Sequence, residues 1–215
     1  MTNPKEAYKQ VLLSQIKKCP QCPWREVKTQ TVLPEGDINS PLVIVGRNPG
    51  YQEDKHGRPF IGPGGRSLDR FLRNAGISRK KIWITNLAKC QGGAGDPQPS
   101  PQVYETCKPW LIAEFCLIQP KLIVVLGNDA LRYVTGNEDA SALKMEGQII
   151  PIGRTETNVF VLSHPGYWVR QKKHEEVIMT TMAEKLKQEV QRLGITGLDP
   201  EPEDDLSDLI KEEGE

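Results

Sequence analysis

A chain of 215 residues with 37% hydrophobic and 26% charged side chains can bury one substantial core, and no apolar run approaches the roughly 18 residues that span a bilayer. Met1 to Gln10 lacks the apolar core of an export signal, so a cytoplasmic protein with no membrane partner is expected. The formal net charge of zero hides an asymmetry, because residues 199–215 hold nine Asp or Glu against Lys211 alone, while residues 1–198 carry 27 basic and 19 acidic side chains. The chain therefore divides into a basic domain, 1–198, and an acidic tail, 199–215, that has too little apolar area to fold. The basic body suits a polyanionic partner; the tail is either a solubilising end or a regulatory one.

In chain order, residues 4–18 show helical spacing of Ala7, Val11, Leu12 and Ile16 and deliver Cys19-Pro20-Gln21-Cys22 at the helix end. Lys28 to Ser40 is polar, with Pro34 and Gly36, and reads as a loop. Leu42 to Gly46 is a buried strand that stops abruptly at Gly46-Arg47-Asn48-Pro49-Gly50. Arg66 to Asn74 is a helix closed by Gly76. Lys81 to Thr85 is a second strand, Gly92 to Pro101 a loop, Val103 to Leu117 a helix, and Lys121 to Gly127 a third strand. Asn128 to Val134 is a short helix, Ile149 to Ile152 a candidate edge strand, Val159 to Ser163 the last core strand, and Arg170 to Leu193 one long charged helix.

Apolar strands alternating with helices predict a three-layer α/β/α sandwich around a central four-stranded, mainly parallel sheet. Arg47-Asn48, Asn86, Asn128-Asp129 and His164 each fall just past the carboxyl end of a predicted strand, the edge where open α/β sheets bind ligands. Without an export signal the cysteines point to metal or redox use rather than disulfides. Cys19, Cys22, Cys90 and Cys107 make a four-thiolate site plausible, for zinc or for an iron–sulfur cluster. Cys116 lies on the opposite face of its helix from Cys107, within an apolar run, and reads as a small buried hydrophobe.

Assembled, these pieces resemble the uracil-DNA glycosylase superfamily, most closely its iron–sulfur branch, the family 4 enzymes. The matching segments are GRNPG at 46–50 with Glu53-Asp54, GRPFIG at 57–62, ITNLAKC at 84–90, Cys107-Lys108-Pro109, LIVVLG at 122–127 and SHPGYWVR at 163–170, spanning roughly residues 10–190. The resemblance implies a monomeric enzyme that removes uracil from DNA and leaves an abasic site. It also implies that Cys19, Cys22, Cys90 and Cys107 hold a structural four-iron four-sulfur (4Fe-4S) cluster, with zinc as the runner-up.

By the same resemblance Phe60 stacks on the base, Asn86 reads its edge, and His164 donates toward uracil O2 as the base leaves. The bland alternatives are a core Phe and a turn-capping Asn. Pro165, Gly166, Tyr167 and Arg170 match a segment that enters the minor groove and meets phosphates; His56 and His174 read as surface residues. The first motif departs from the pattern: where the iron–sulfur branch has Gly-Glu-Ala-Pro-Gly, this chain has Gly46-Arg47-Asn48-Pro49-Gly50. An Asn in that slot is similar to the mismatch-specific and single-strand-selective branches, in which it orients the attacking water. Asn48 is thus the expected water-positioning residue, with Glu53 as a second candidate. Arg47 contacts phosphate or sugar, or pairs with Glu53. A competing class is a non-catalytic uracil-DNA-binding protein in which Arg47 has ended turnover.

Overall fold

The computed structural model of the chain describes residues 4–19, 22–95, 98–153 and 155–200, so nearly all of the acidic tail lies outside them. Six strands, β1 (Glu35–Gly36), β2 (Leu42–Gly46), β3 (Trp83–Asn86), β4 (Leu122–Leu126), β5 (Ile149–Pro151) and β6 (Asn158–Leu162), form one sheet in the order β1-β3-β2-β4-β6-β5. The four inner strands are parallel and the two edge strands antiparallel. The expected four-stranded parallel sheet is the centre of this one. The candidate edge strand forms as β5, and β1 arises within Lys28 to Ser40, which reads as a loop. Only two residues pair there, too few to show a periodicity. Gly36 permits it: with φ +115, a Cβ on it would sit 1.7 Å from the Ile82 carbonyl oxygen.

Strand residues alternate between two cores, as a period of two requires. Leu42, Ile44, Ile84, Leu122, Val124, Phe160 and Leu162 pack on one side, against α3 (Pro63–Asn74), α6 (Pro165–Arg170) and α8 (Ala183–Arg192). Val43, Val45, Trp83, Ile123, Val125, Val159 and Val161 pack on the other, against α4 (Pro101–Ile118) and α5 (Asn128–Thr135). The predicted three layers follow from this alternation. Two further helices, α1 (Pro4–Lys17) and α2 (Tyr51–His56), precede the Phe60 loop.

The single helix expected over 170–193 is broken. Residues 165–170 form the separate α6, which drives Trp168 fully into the core 5.6 Å from Phe71, and Gln171 leaves helical geometry at φ −125, ψ 80. From α7 (Lys172–Val177) the chain passes through a π-helical turn, Ile178–Met182, into α8. No helix among the described residues is long and apolar enough to cross a membrane.

Candidate active site

β2 and β3 end side by side, with Gly46 paired to Asn86. Their exits are stitched together: Leu87 N–H donates to the Gly46 carbonyl (2.9 Å) and Ala88 N–H to the Arg47 carbonyl (3.0 Å). A Cβ on Gly46 would lie 2.4 Å from Phe60 Cζ and 2.5 Å from Asn86 Oδ1, so only glycine lets the ring and the carboxamide meet at this strand end. Asn86 is 4% exposed, and its Oδ1 is buried with no hydrogen-bond donor among the described residues. A buried carbonyl oxygen left unpaired costs free energy, of order 1–3 kcal/mol, that an incoming N–H recovers.

The first loop is pinned to the Phe60 loop by Glu53. Its Oε1 accepts from Ile61 N–H (2.9 Å) and Gly62 N–H (2.8 Å), and its Oε2 from Gly50 N–H (3.1 Å). Asp54 does the same for the preceding segment, accepting from Thr29 N–H (2.9 Å) and Gln30 N–H (3.3 Å). Arg47 Nε donates to Asn48 Oδ1 (2.6 Å), and Asn48 Nδ2 donates to the Pro49 carbonyl (2.9 Å). Arg47 also lies close enough to Tyr104 to pull its phenol down slightly, against a larger upward push from burial and from Asp129.

β6 ends before His164, whose Nδ1 accepts from Gly166 N–H (3.1 Å) and caps α6. Because Nδ1 is the acceptor, the proton of the neutral ring sits on Nε2, which is then a donor. Gly127, φ +91, lets β4 turn beneath it: a Cβ there would meet His164 Cβ at 3.2 Å. Gly64 packs on Pro165 and Gly166, joining the Phe60 loop to this one. The segment matched to the minor-groove contact, Pro165–Arg170, is helical. Pro165 is buried, Gly166 and Tyr167 are half-buried, and Arg170 is exposed.

Cys19, Cys22, Cys90 and Cys107 line one cavity together with Lys28, Thr31 and Trp110. Burial pushes the thiols of Cys90 and Cys107 up, Cys107 to about 11. Among the described residues no group of three or more His, Cys, Asp or Glu is arranged to hold a metal ion. Four thiols lining one space are a donor set that either a zinc ion or an iron–sulfur cluster can use. α4 runs Pro101–Ile118, close to the expected Val103 to Leu117, with Pro109 inside the helix. Cys116 is exposed, correcting its expected burial: the buried stripe of α4 runs Val103, Cys107, Leu111, Glu114, Ile118 and passes it by.

A family model described as the uracil DNA glycosylase superfamily matches residues 33–191. A type-4 uracil-DNA glycosylase of Thermotoga maritima is 34% identical over 172 residues, 80% of this chain and 88% of that protein. Type-4 uracil-DNA glycosylases of Sulfurisphaera tokodaii and Archaeoglobus fulgidus are 31% and 29% identical, over 70% and 72% of this chain and 71% and 79% of theirs. The chain belongs to the uracil-DNA glycosylase superfamily.

Three groups of residues around this superfamily site carry no local sequence signal. Lys89, 2% exposed, donates from Nζ to Thr85 Oγ1 (2.6 Å) and to the Asn86 carbonyl (2.7 Å) and pairs with Glu114 (2.6 Å), which accepts from Trp83 Nε1 (2.9 Å). This network ties the Asn86 strand end to the helix carrying Cys107. Arg79 holds the Phe60 loop through Glu35, Asp69 and two carbonyls. Burial alone would push the Glu35 carboxyl up, but Arg79 and Arg58 hold it below the ordinary range. His174, expected on the surface, instead meets Glu146 (3.1 Å), Ser163 Oγ (3.0 Å) and the Tyr167 ring.

Proposed function

We propose that this chain is a monofunctional uracil-DNA glycosylase, acting as a monomer to hydrolyse the N-glycosidic bond of uracil in DNA. The observation that carries the reading is the contact of Gly46, Phe60 and Asn86 with a vacant, buried Asn86 Oδ1. Uracil presents an N3–H donor beside its O4 acceptor. Asn86 Oδ1 accepts the first and Nδ2 donates to the second, whereas cytosine would set like groups against it in this orientation. The base reaches the pocket by leaving the stack, and Phe60 covers its face.

As the glycosidic bond breaks, negative charge gathers on the departing uracil and positive charge on the sugar. His164, with its proton on Nε2, donates toward O2 and stabilises that anion; the neutral ring suffices. Asn48 holds the attacking water from the loop that follows Gly46. Glu53 acts by fixing the two loops against each other, since both its oxygens are spent on backbone N–H groups. Gly166, Tyr167 and Arg170 face the duplex, and Arg170 meets phosphate. Pro165, buried against Gly64, shapes the turn they stand on.

Cys19, Cys22, Cys90 and Cys107 are the residues to hold a 4Fe-4S cluster, which cross-links α1, the Asn86 loop and α4 as a structural element. Iron and sulfide analysis with a visible spectrum tests this: four irons and a brown protein are expected, and a colourless protein with stoichiometric zinc would contradict it. The activity is tested by release of free uracil from a single-uracil oligonucleotide. Binding without release would favour the non-catalytic alternative.

A further inference from the structure

Arg79 opens the 3₁₀ turn before β3, in a Ser78-Arg79-Lys80-Lys81 run that looks like ordinary basic surface. Its side chain is only 15% exposed. Nε and Nη2 both donate to Glu35 Oε1 (2.9 and 2.7 Å), and Nη1 donates to Asp69 Oδ1 (2.8 Å). The fork also donates to the Phe60 carbonyl (3.0 Å) and to the Pro59 carbonyl. Two carboxylates from β1 and α3 face the guanidinium, with Arg58 on the other oxygen of Glu35 (3.0 Å), while Arg79 grips the carbonyls on both sides of the Phe60 Cα.

What it grips is strained. Phe60 has φ +53, one of two positive-φ non-glycine residues among those described, and a bulky side chain rarely adopts that conformation. Such strain persists only where the surroundings over-determine it, typically at a functional site. Glu53 holds the N–H groups of Ile61 and Gly62, and Gly65 lies so near that a Cβ would meet the Phe60 carbonyl oxygen at 2.0 Å. The left-handed backbone turns the ring onto Gly46. A relaxed backbone would swing it off Gly46.

We propose that Arg79 is a positioning residue for base recognition, locking the strained Phe60 peptide so that the ring forms the stacking wall of the uracil pocket. The inference rests on the reading of Phe60 as the stacking ring. It gives β1 a purpose too, since that short strand brings Glu35 to Arg79.

The test is a double-mutant cycle on the full chain, measuring inhibition by free uracil, single-turnover excision and Tm for wild type, Phe60→Ala, Arg79→Lys and the double variant. Phe60→Ala is expected to weaken uracil inhibition about tenfold or more, Arg79→Lys to weaken it comparably, and the double variant to be no worse than Phe60→Ala alone. Multiplying losses in the double variant, or a lowered Tm with uracil inhibition intact in Arg79→Lys, would overturn the proposal. Unchanged uracil inhibition in Phe60→Ala would overturn the stacking reading itself, a separately recognisable result. Should Arg79→Lys fail to fold, Asp69→Asn loosens the same fork: a smaller loss that vanishes in the Phe60→Ala background supports the proposal, and no loss contradicts it.

Discussion

At Gly46 there is no room for a single carbon atom: the Phe60 ring and the Asn86 carboxamide both close on the strand end, buried, and their backbone is held by Arg79, Glu53 and Lys89. Two residues later Asn48 stands in a half-buried loop, its carboxamide shared with Arg47 and the Pro49 carbonyl. The first region is a preformed wall with one vacant acceptor. The second is a loop whose polar groups are held by its own neighbours. On the proposed reading, recognition belongs to the packed sheet edge, where a substitution breaks many contacts, and the hydrolytic step to a loop whose chemistry can vary without disturbing the core.

That contrast can be broken most forcefully at the wall. Asn86→Ala removes the side chain proposed to pair with both N3–H and O4, and excision of uracil should fall by at least about a hundredfold, with discrimination against cytosine reduced in the same single-turnover assay. Glu53→Gln comes next, because it joins the two regions. An amide keeps the size but sets a donor against a backbone N–H, so unfolding free energy should drop by about 1–3 kcal/mol in urea titration, with both uracil inhibition and excision weakened. A change confined to excision would instead make Glu53 part of the chemistry. Smallest is Arg170→Ala, outside both regions: affinity for DNA should fall severalfold regardless of sequence, and the salt slope of log K should drop by about 1.

Much of the wall was legible because its parts are local. Apolar runs that end in Gly46, Asn86 and Gly127 announce buried strands and the edge where they stop, and the alternation of Leu42 to Val45 between two cores follows from strand geometry. The bracing was not legible, because it is long-range. Glu35, Asp69 and Arg79 come from three segments, and nothing in a polar loop, a helix face or a basic run says that they share one guanidinium. Glu114 shows the same limit: a carboxylate in an apolar helix is explained by Lys89 and Trp83, which reach it from a distant stretch of the chain. Cys116 misled in the opposite way, since an apolar run on α4 conceals which stripe of the helix faces inward. The break at Gln171 follows from packing Trp168 into the core, which no local propensity reports.

The division between wall and loop is tested most directly by Asn48→Ala, assayed for single-turnover uracil release at saturating DNA alongside inhibition by free uracil. Excision should fall by about two orders of magnitude while uracil inhibition and DNA affinity stay within a few-fold of wild type. Near-normal excision, or a parallel loss of uracil binding, would contradict the assignment of the water to Asn48 and of recognition to Gly46, Phe60 and Asn86.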